Sequence, residues 1–204
     1  MRENSGRVLI VTDVQRDFCE GGALAVPRGD EVVRPINRLA QNYDLVVLTQ
    51  DWHPANHQSF ASQHPGRQPF EEMDFPYGLQ TLWPDHCVQG SPGADFHPDL
   101  SVPHAALIIR KGFRAAVDSY SAFAEADGSV TGLGAYLRDR DVRHVDCVGL
   151  ATDFCVAWSA EDAARQGFRV RVFQDACRAI DLNGSLEAAW ARLSARGVAL
   201  AQVG

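Results

Sequence analysis

At 204 residues, with 46% apolar and 22% charged side chains, the chain is long enough for one well-buried domain and short for two. Its formal net charge of −7 and lack of any basic run exclude a phosphate backbone as the natural partner. No apolar run reaches the ~18 residues that span a bilayer. The opening M-R-E-N-S-G-R leads into a strand-like run rather than a signal-peptide core, so the expected address is the cytoplasm. Residues 8–14 (V-L-I-V-T-D-V) read as the first strand. Residues 30–42 follow as a helix, with Val32, Val33, Ile36, Leu39 and Ala40 at a period near 3.6. Residues 45–49 (L-V-V-L-T) are the second strand.

From Trp52 to Pro103 no period is sustained. The stretch holds eight of the ten prolines, and six of the seven histidines fall between His53 and His104. So long a loop inside a compact domain points to function. Beyond it come strands at 106–109, 145–150, 170–173 and 198–203, alternating with helices at 131–139, 152–166 and 185–196. Gly167 and Gly197 sit where helix C-caps belong. The pattern predicts one α/β domain spanning 1–204. Its core is a doubly wound, mainly parallel six-stranded sheet with helices on both faces and a long metal-binding loop insertion.

Four constellations carry chemistry. Asp13 closes the first strand ahead of a Gly-rich turn; burial there raises a carboxylate's pKa unless a cation pairs with it, although strand-end acids also serve merely as turn residues. In Q-D-W-H-P-A-N-H-Q-S-F, Asp51 and His53 are two apart, so in extended chain both point the same way and can converge on one divalent ion. His57 and His64 are further candidates nearby, and W-P-D-H-C-V offers His86 as a distant third ligand. That hexapeptide also supplies Trp83, a flat face for an aromatic ring, whereas His97 and His104 read as surface histidines. Lys111 follows a strand expected to be central, where it needs an anion, and Asp13 is the obvious one; the alternative is an exposed strand-end lysine. Arg110 is sent to the opposite side by strand alternation.

Cys155 is the last. The five cysteines are odd in number, irregularly spaced and without a C-x-x-C pair, which argues against a disulfide framework. Cys19, Cys87, Cys147 and Cys177 read as buried small hydrophobes. Cys155 differs because it follows strand, turn and helix start in G-L-A-T-D-F-C-V. With Thr152 as N-cap, the helix N-terminus favours a thiolate, and the Ala151 and Cys155 N–H groups can hold an oxyanion.

Together the blocks D-V-Q-R-D-F-C-E-G-G-A-L, T-Q-D-W-H-P-A-N-H-Q-S-F-A, W-P-D-H-C-V-Q-G-S-P-G-A, K-G and G-L-A-T-D-F-C-V run from about residue 8 to 173. In that order they resemble the nicotinamidase (pyrazinamidase) branch of the isochorismatase-like cysteine hydrolase superfamily. The resemblance implies hydrolysis of nicotinamide, and of pyrazinamide, through a cysteine thioester in NAD salvage. It implies a catalytic triad of Asp13, Lys111 and Cys155, an oxyanion hole at Ala151 and Cys155, and a cis peptide between Leu150 and Ala151. Phe18 and Trp83 would sandwich the ring, with Leu24 and Tyr120 behind them. Asp51, His53 and His86 would hold one divalent metal ion, zinc foremost, with iron or manganese as alternatives. The fourth metal contact is open between His57 and Ser59. The implied partner is a small-molecule substrate, with no nucleic acid or membrane, and assembly into a homo-oligomer stays open. A metal-independent N-carbamoyl or ureido amidase shares the triad but does not need D-x-H with a distant histidine. A catalytically silent binding protein would lack a triad or ligand residue, and none is missing.

Overall fold

Aliphatic runs that repeat at strand length pair into one sheet. The computed structural model describes residues 6–204, so the reading of the N-terminal residues 1–5 falls outside it. In chain order the elements are β1 (Arg7–Thr12), α1 (Val33–Ala40), β2 (Val46–Asp51), β3 (Glu72–Phe75), β4 (Gly78–Thr81), β5 (Leu107–Lys111), α2 (Leu133–Arg138), β6 (His144–Leu150), α3 (Ala157–Arg165), β7 (Arg169–Arg178), α4 (Ser185–Ala195) and β8 (Ala199–Ala201). Six strands lie in the order β5-β2-β1-β6-β7-β8. Every neighbouring pair in that sheet is parallel.

Side-chain alternation divides β1 between two cores. Leu9 and Val11 pack with Val33, Ile36 and Leu39 of α1 on one face. Val8 and Ile10 pack with Leu137, Ala160 and Leu193, from α2, α3 and α4, on the other. The predicted helix at 30–42 begins as a 3₁₀ turn, Gly29–Val32, and becomes α-helical only from Val33. Pro35 falls in the first turn of α1, where a missing N–H costs no helical hydrogen bond.

Two expectations need correction. β5 is an edge strand, not a central one, and Lys111 is its last residue, in register with Asp51. Lys111 is nonetheless fully buried, because Asp13, Asp51, Ser119 and Cys155 close around its ammonium. The stretch from 52 to 103 is also not all loop: β3 and β4 form an antiparallel hairpin, Glu72 opposite Thr81 and Phe75 opposite Gly78. Among the described residues no helix is long and apolar enough to cross a membrane.

From β1 the chain runs outward through β2 to β5 and then crosses back to β6 on the other side of β1. This reversal opens a crevice at the carboxyl ends of β1 and β6, where α/β sheets bind ligands. Asp13 follows β1 directly, and Cys155 follows β6 by five residues.

Candidate active site

Asp13 sits at the bend leaving β1, with φ of 45°. Thr49 of β2 holds it twice: its hydroxyl donates to Asp13 Oδ1 at 2.5 Å and accepts from the Asp13 N–H at 3.1 Å. That grip turns Oδ2 toward Lys111 Nζ, 2.8 Å away. Lys111 Nζ also contacts an Asp51 carboxylate oxygen and donates to the Ser119 carbonyl at 3.1 Å and to Cys155 Sγ at 3.3 Å. One buried ammonium thus joins two carboxylates and a thiol. Burial works against its charge, but Asp13, Asp51 and Cys155 together hold its pKa well above the ordinary lysine value. Arg110 points elsewhere, stacking 3.8 Å over the Trp52 ring and donating to Gln50.

Burial raises the Asp13 carboxyl, Lys111 pulls it back, Asp51 pushes it up again, and the net direction is upward. Cys155 is likewise pushed well above the ordinary thiol value, chiefly by burial, and Lys111 does not outweigh burial, Asp13 and Asp51. Burial thus outweighs the helix-start field that favours a thiolate, and the thiol needs a base to give up its proton. The helix start also differs from expectation. Thr152–Val156 forms a π-helical turn leading into α3, Ala151 occupies the N-cap position, and no side chain caps it, so Thr152 is not an N-cap. The wider turn carries Ala151, Phe154 and Cys155 onto one pocket wall. The Leu150–Ala151 peptide is cis, as the resemblance implies.

The crevice is narrow: only about 20 Å³ of it is open to the centre of a water-sized sphere. Phe18, Leu24, Trp83 and Tyr120 all line it, as expected from the resemblance, along with Asp51, His86, Ala151 and Cys155. Asp118, Phe154 and Ile180 line it too and were not anticipated.

Asp51, His53 and His86 present ligand atoms within 4.8 Å of one another, all buried. Backbone carbonyls fix both imidazoles through Nδ1: Gly112 O at 2.9 Å for His53 and Pro84 O at 2.8 Å for His86. Each Nε2 is then free of that role and faces Asp51, at 3.6 and 3.9 Å. Carbonyl-oriented imidazoles beside a carboxylate are what a divalent metal with mixed nitrogen and oxygen preference requires, so the residues fit a resident ion. Burial and His53 depress His86 to about 4, which keeps it neutral and able to ligate at physiological pH. His57 engages Ser59 Oγ at 2.7 Å through Nδ1 and the Val117 carbonyl at 3.3 Å through Nε2. It also groups with His53 and Asp118, all three buried. His64 bonds the Gln58 carbonyl and packs on Phe75, His97 pairs with Asp30 at 3.1 Å, and His104 bonds the Ala40 carbonyl.

Gly112 explains the second half of K-G. Its φ is +62°, and a Cβ there would come within 2.3 Å of the His53 ring. Gly112→Ala is expected to displace His53 and lower the metal:protein ratio of the purified protein at least about tenfold under limiting metal, the scale of a lost orienting contact. Elemental analysis after dialysis reads it, and an undiminished ratio removes the glycine from the metal site.

Other positioning groups were hidden in the quoted motifs. Gln15 clamps the Asp51 backbone from both sides, accepting its N–H at 2.8 Å and donating to its carbonyl at 2.9 Å. Asp17 accepts the Cys87 N–H at 2.7 Å, tying down the loop that carries His86. Asp153 accepts the Ile180 and Asp181 N–H groups at 3.1 and 2.7 Å, fixing the segment that brings Ile180 to the pocket. The other four cysteines are buried and free, as expected.

A family model for the isochorismatase domain matches residues 7–203. The chain belongs to the isochorismatase family. Within that family, a nicotinamidase from Acinetobacter baylyi is 54% identical over 199 residues, covering 97% of this chain and 93% of its own. The solved nicotinamidase–pyrazinamidase of Acinetobacter baumanii superposes with a TM-score of 0.97 at 55% identity, covering 98% of each chain. A pyrazinamidase of Pyrococcus horikoshii, solved in complex with zinc, is similar at a TM-score of 0.79 and 35% identity, covering 97% of this chain and 99% of that one. Isochorismatase-family relatives this similar cover the crevice, the strand ends and the loop insertion alike.

Proposed function

We propose that this site hydrolyses nicotinamide to nicotinate and ammonia, and pyrazinamide by the same route. The observation that carries the reading is the single buried Lys111 ammonium touching Asp13, Asp51 and Cys155, because it joins a nucleophile, a base and a metal-ligand carboxylate under one aromatic-walled pocket.

Asp13 takes the Cys155 proton as sulfur attacks the carboxamide carbon. Its raised proton affinity suits a group that must both accept and return a proton. Lys111 holds the aspartate in place and stabilises the sulfur anion. The oxygen charge falls on the Ala151 and Cys155 N–H groups. Asp13 gives its proton to the departing nitrogen, the C–N bond breaks, and ammonia leaves a thioester. Asp13 then deprotonates a water, the C–O bond forms, the C–S bond breaks, and sulfur regains the proton. Phe18 and Trp83 hold the ring, so its orientation is set before bond making. Asp51, His53 and His86 would hold the divalent ion, zinc first, which supplies a Lewis-acid anchor for the pyridine nitrogen. We read the chain, residues 1–204, as one cytoplasmic hydrolase domain serving pyridine-nucleotide salvage.

Ammonia release from nicotinamide, measured beside a chelated sample, tests the reading. Release that falls on chelation supports it; no release from metal-loaded protein, with turnover of carbamoyl or ureido amides instead, overturns it. Asp13→Asn keeps the side-chain shape and removes the base, and kcat is expected to fall at least about 100-fold. A smaller loss in steady-state kinetics removes Asp13 as the proton carrier.

A further inference from the structure

Behind the pocket runs a polar chain that the reaction steps do not use. Gln80, on β4, is 2% exposed. Its amide nitrogen lies 2.7 Å from Asp118 Oδ2 and from the Thr81 carbonyl and 3.1 Å from the Tyr120 hydroxyl, so two N–H bonds are shared among three acceptors. Asp118 and the Thr81 carbonyl can only accept, which fixes the nitrogen on that side of the amide. The Tyr120 hydroxyl also accepts from Trp83 Nε1 at 3.0 Å. The Gln80 amide and the Trp83 indole therefore converge on one phenolic oxygen. Asp118 is held in turn by the Ser119 N–H at 2.8 Å.

Tyr120 packs against the rings of Trp83, Phe154 and Trp158, with centroids 6.4, 5.5 and 6.3 Å away. It also borders both the active-site crevice and a second cavity lined by Tyr77, Gln80 and Trp158. The ring contacts place the ring, and the hydrogen bonds add what they do not: they fix where the hydroxyl sits. Gln80 borders only the rear cavity, while Trp83, Tyr120 and Asp118 face the crevice.

We propose that Gln80 is a positioning residue for substrate affinity. Held between Asp118 and Tyr120, it sets the Tyr120 hydroxyl, and through it the Trp83 indole against which the ring stacks. The proposal rests on the nicotinamidase reading of the pocket. It also gives the β3–β4 hairpin a role, since Gln80 is the buried residue of β4.

The test is a kinetic split. Gln80→Leu keeps approximate volume and removes the donor. KM for nicotinamide is expected to rise about tenfold, or roughly 1.4 kcal/mol of ground-state binding, with kcat within about twofold. The metal:protein ratio should not change, because Gln80 bonds to Thr81, Asp118 and Tyr120 rather than to Asp51, His53 or His86. Gln80→Met, unbranched like glutamine, removes the same donor and should raise KM to a similar degree. In a Tyr120→Phe background either substitution should change KM less than about twofold further, because the hydroxyl it acts through is gone. If Gln80→Leu fails to fold, Gln80→Met decides the matter. An unchanged KM in the folded variant, a fall in kcat alone, or an undiminished effect in the Tyr120→Phe background overturns the proposal. Wild-type turnover of nicotinamide is read first: its absence removes the functional reading, whereas turnover with unaltered KM in the variant removes only the role of Gln80.

Discussion

Cys155→Ala is expected to fold normally, load metal normally and release no measurable ammonia, a loss of at least about 10⁴-fold in kcat. The substitution removes one sulfur from the end of a π-helical turn whose backbone is held by Ala151, Asp153 and the start of α3. The pocket wall and the cluster of Asp51, His53 and His86 stay as they are. What disappears is the sulfur 3.3 Å from Lys111 Nζ that the proposed mechanism uses as nucleophile. The carboxylates on the same ammonium, Asp13 and Asp51, are assigned in that mechanism to proton transfer and to metal binding. Rapid quenching of the wild type with nicotinamide, followed by intact-mass analysis, should show the acyl adduct, and the variant should show none. Ammonia release by Cys155→Ala near the wild-type rate ends the thioester mechanism.

Lys111→Met should cost both activity and stability. Methionine fills much of the lysine stem but leaves Asp13 and Asp51 buried without their shared cation. Breaking a buried ion pair by removing one partner costs roughly 3–5 kcal/mol. Denaturant midpoints measure this directly. The loss should be greater in chelated protein than in metal-loaded protein, because a bound ion offers Asp51 a second source of positive charge. Equal losses in the two samples would show that Asp51 does not share its charge with a metal. Activity should fall at least about 100-fold in either case, since Asp13 loses the group that holds it against the thiol.

The meeting of Asp13, Lys111 and Cys155 was legible because each ends or follows a strand, and parallel sheets gather strand ends on one side. Asp51 and His53 were legible from their two-residue spacing, and His86 from its motif. The edge position of β5 was not, since strand order depends on which crossover goes left or right of β1, and no single strand encodes that. The β3–β4 hairpin escaped because E-M-D-F and G-L-Q-T are four residues each and alternate too briefly to stand out. Gln80 and Asp153 were invisible for a different reason: their partners lie 38 and 27 or more residues away. How far burial opposes the thiolate was not legible, because a helix terminus adds only a modest favourable field while complete burial removes solvation, and burial wins.

The strand order has one further consequence, for how the molecule reaches its working state. Asp13 and Thr49 are 36 residues apart, Asp51 and Lys111 are 60 apart, and Lys111 and Cys155 are 44 apart. These contacts close loops across non-adjacent parts of the chain, and such high contact order slows folding. No stretch of sequence holds a partial site that could act early. Catalytic competence is therefore a property of the completed sheet, and the return of amidase activity during refolding marks the last long-range closure rather than the first collapse.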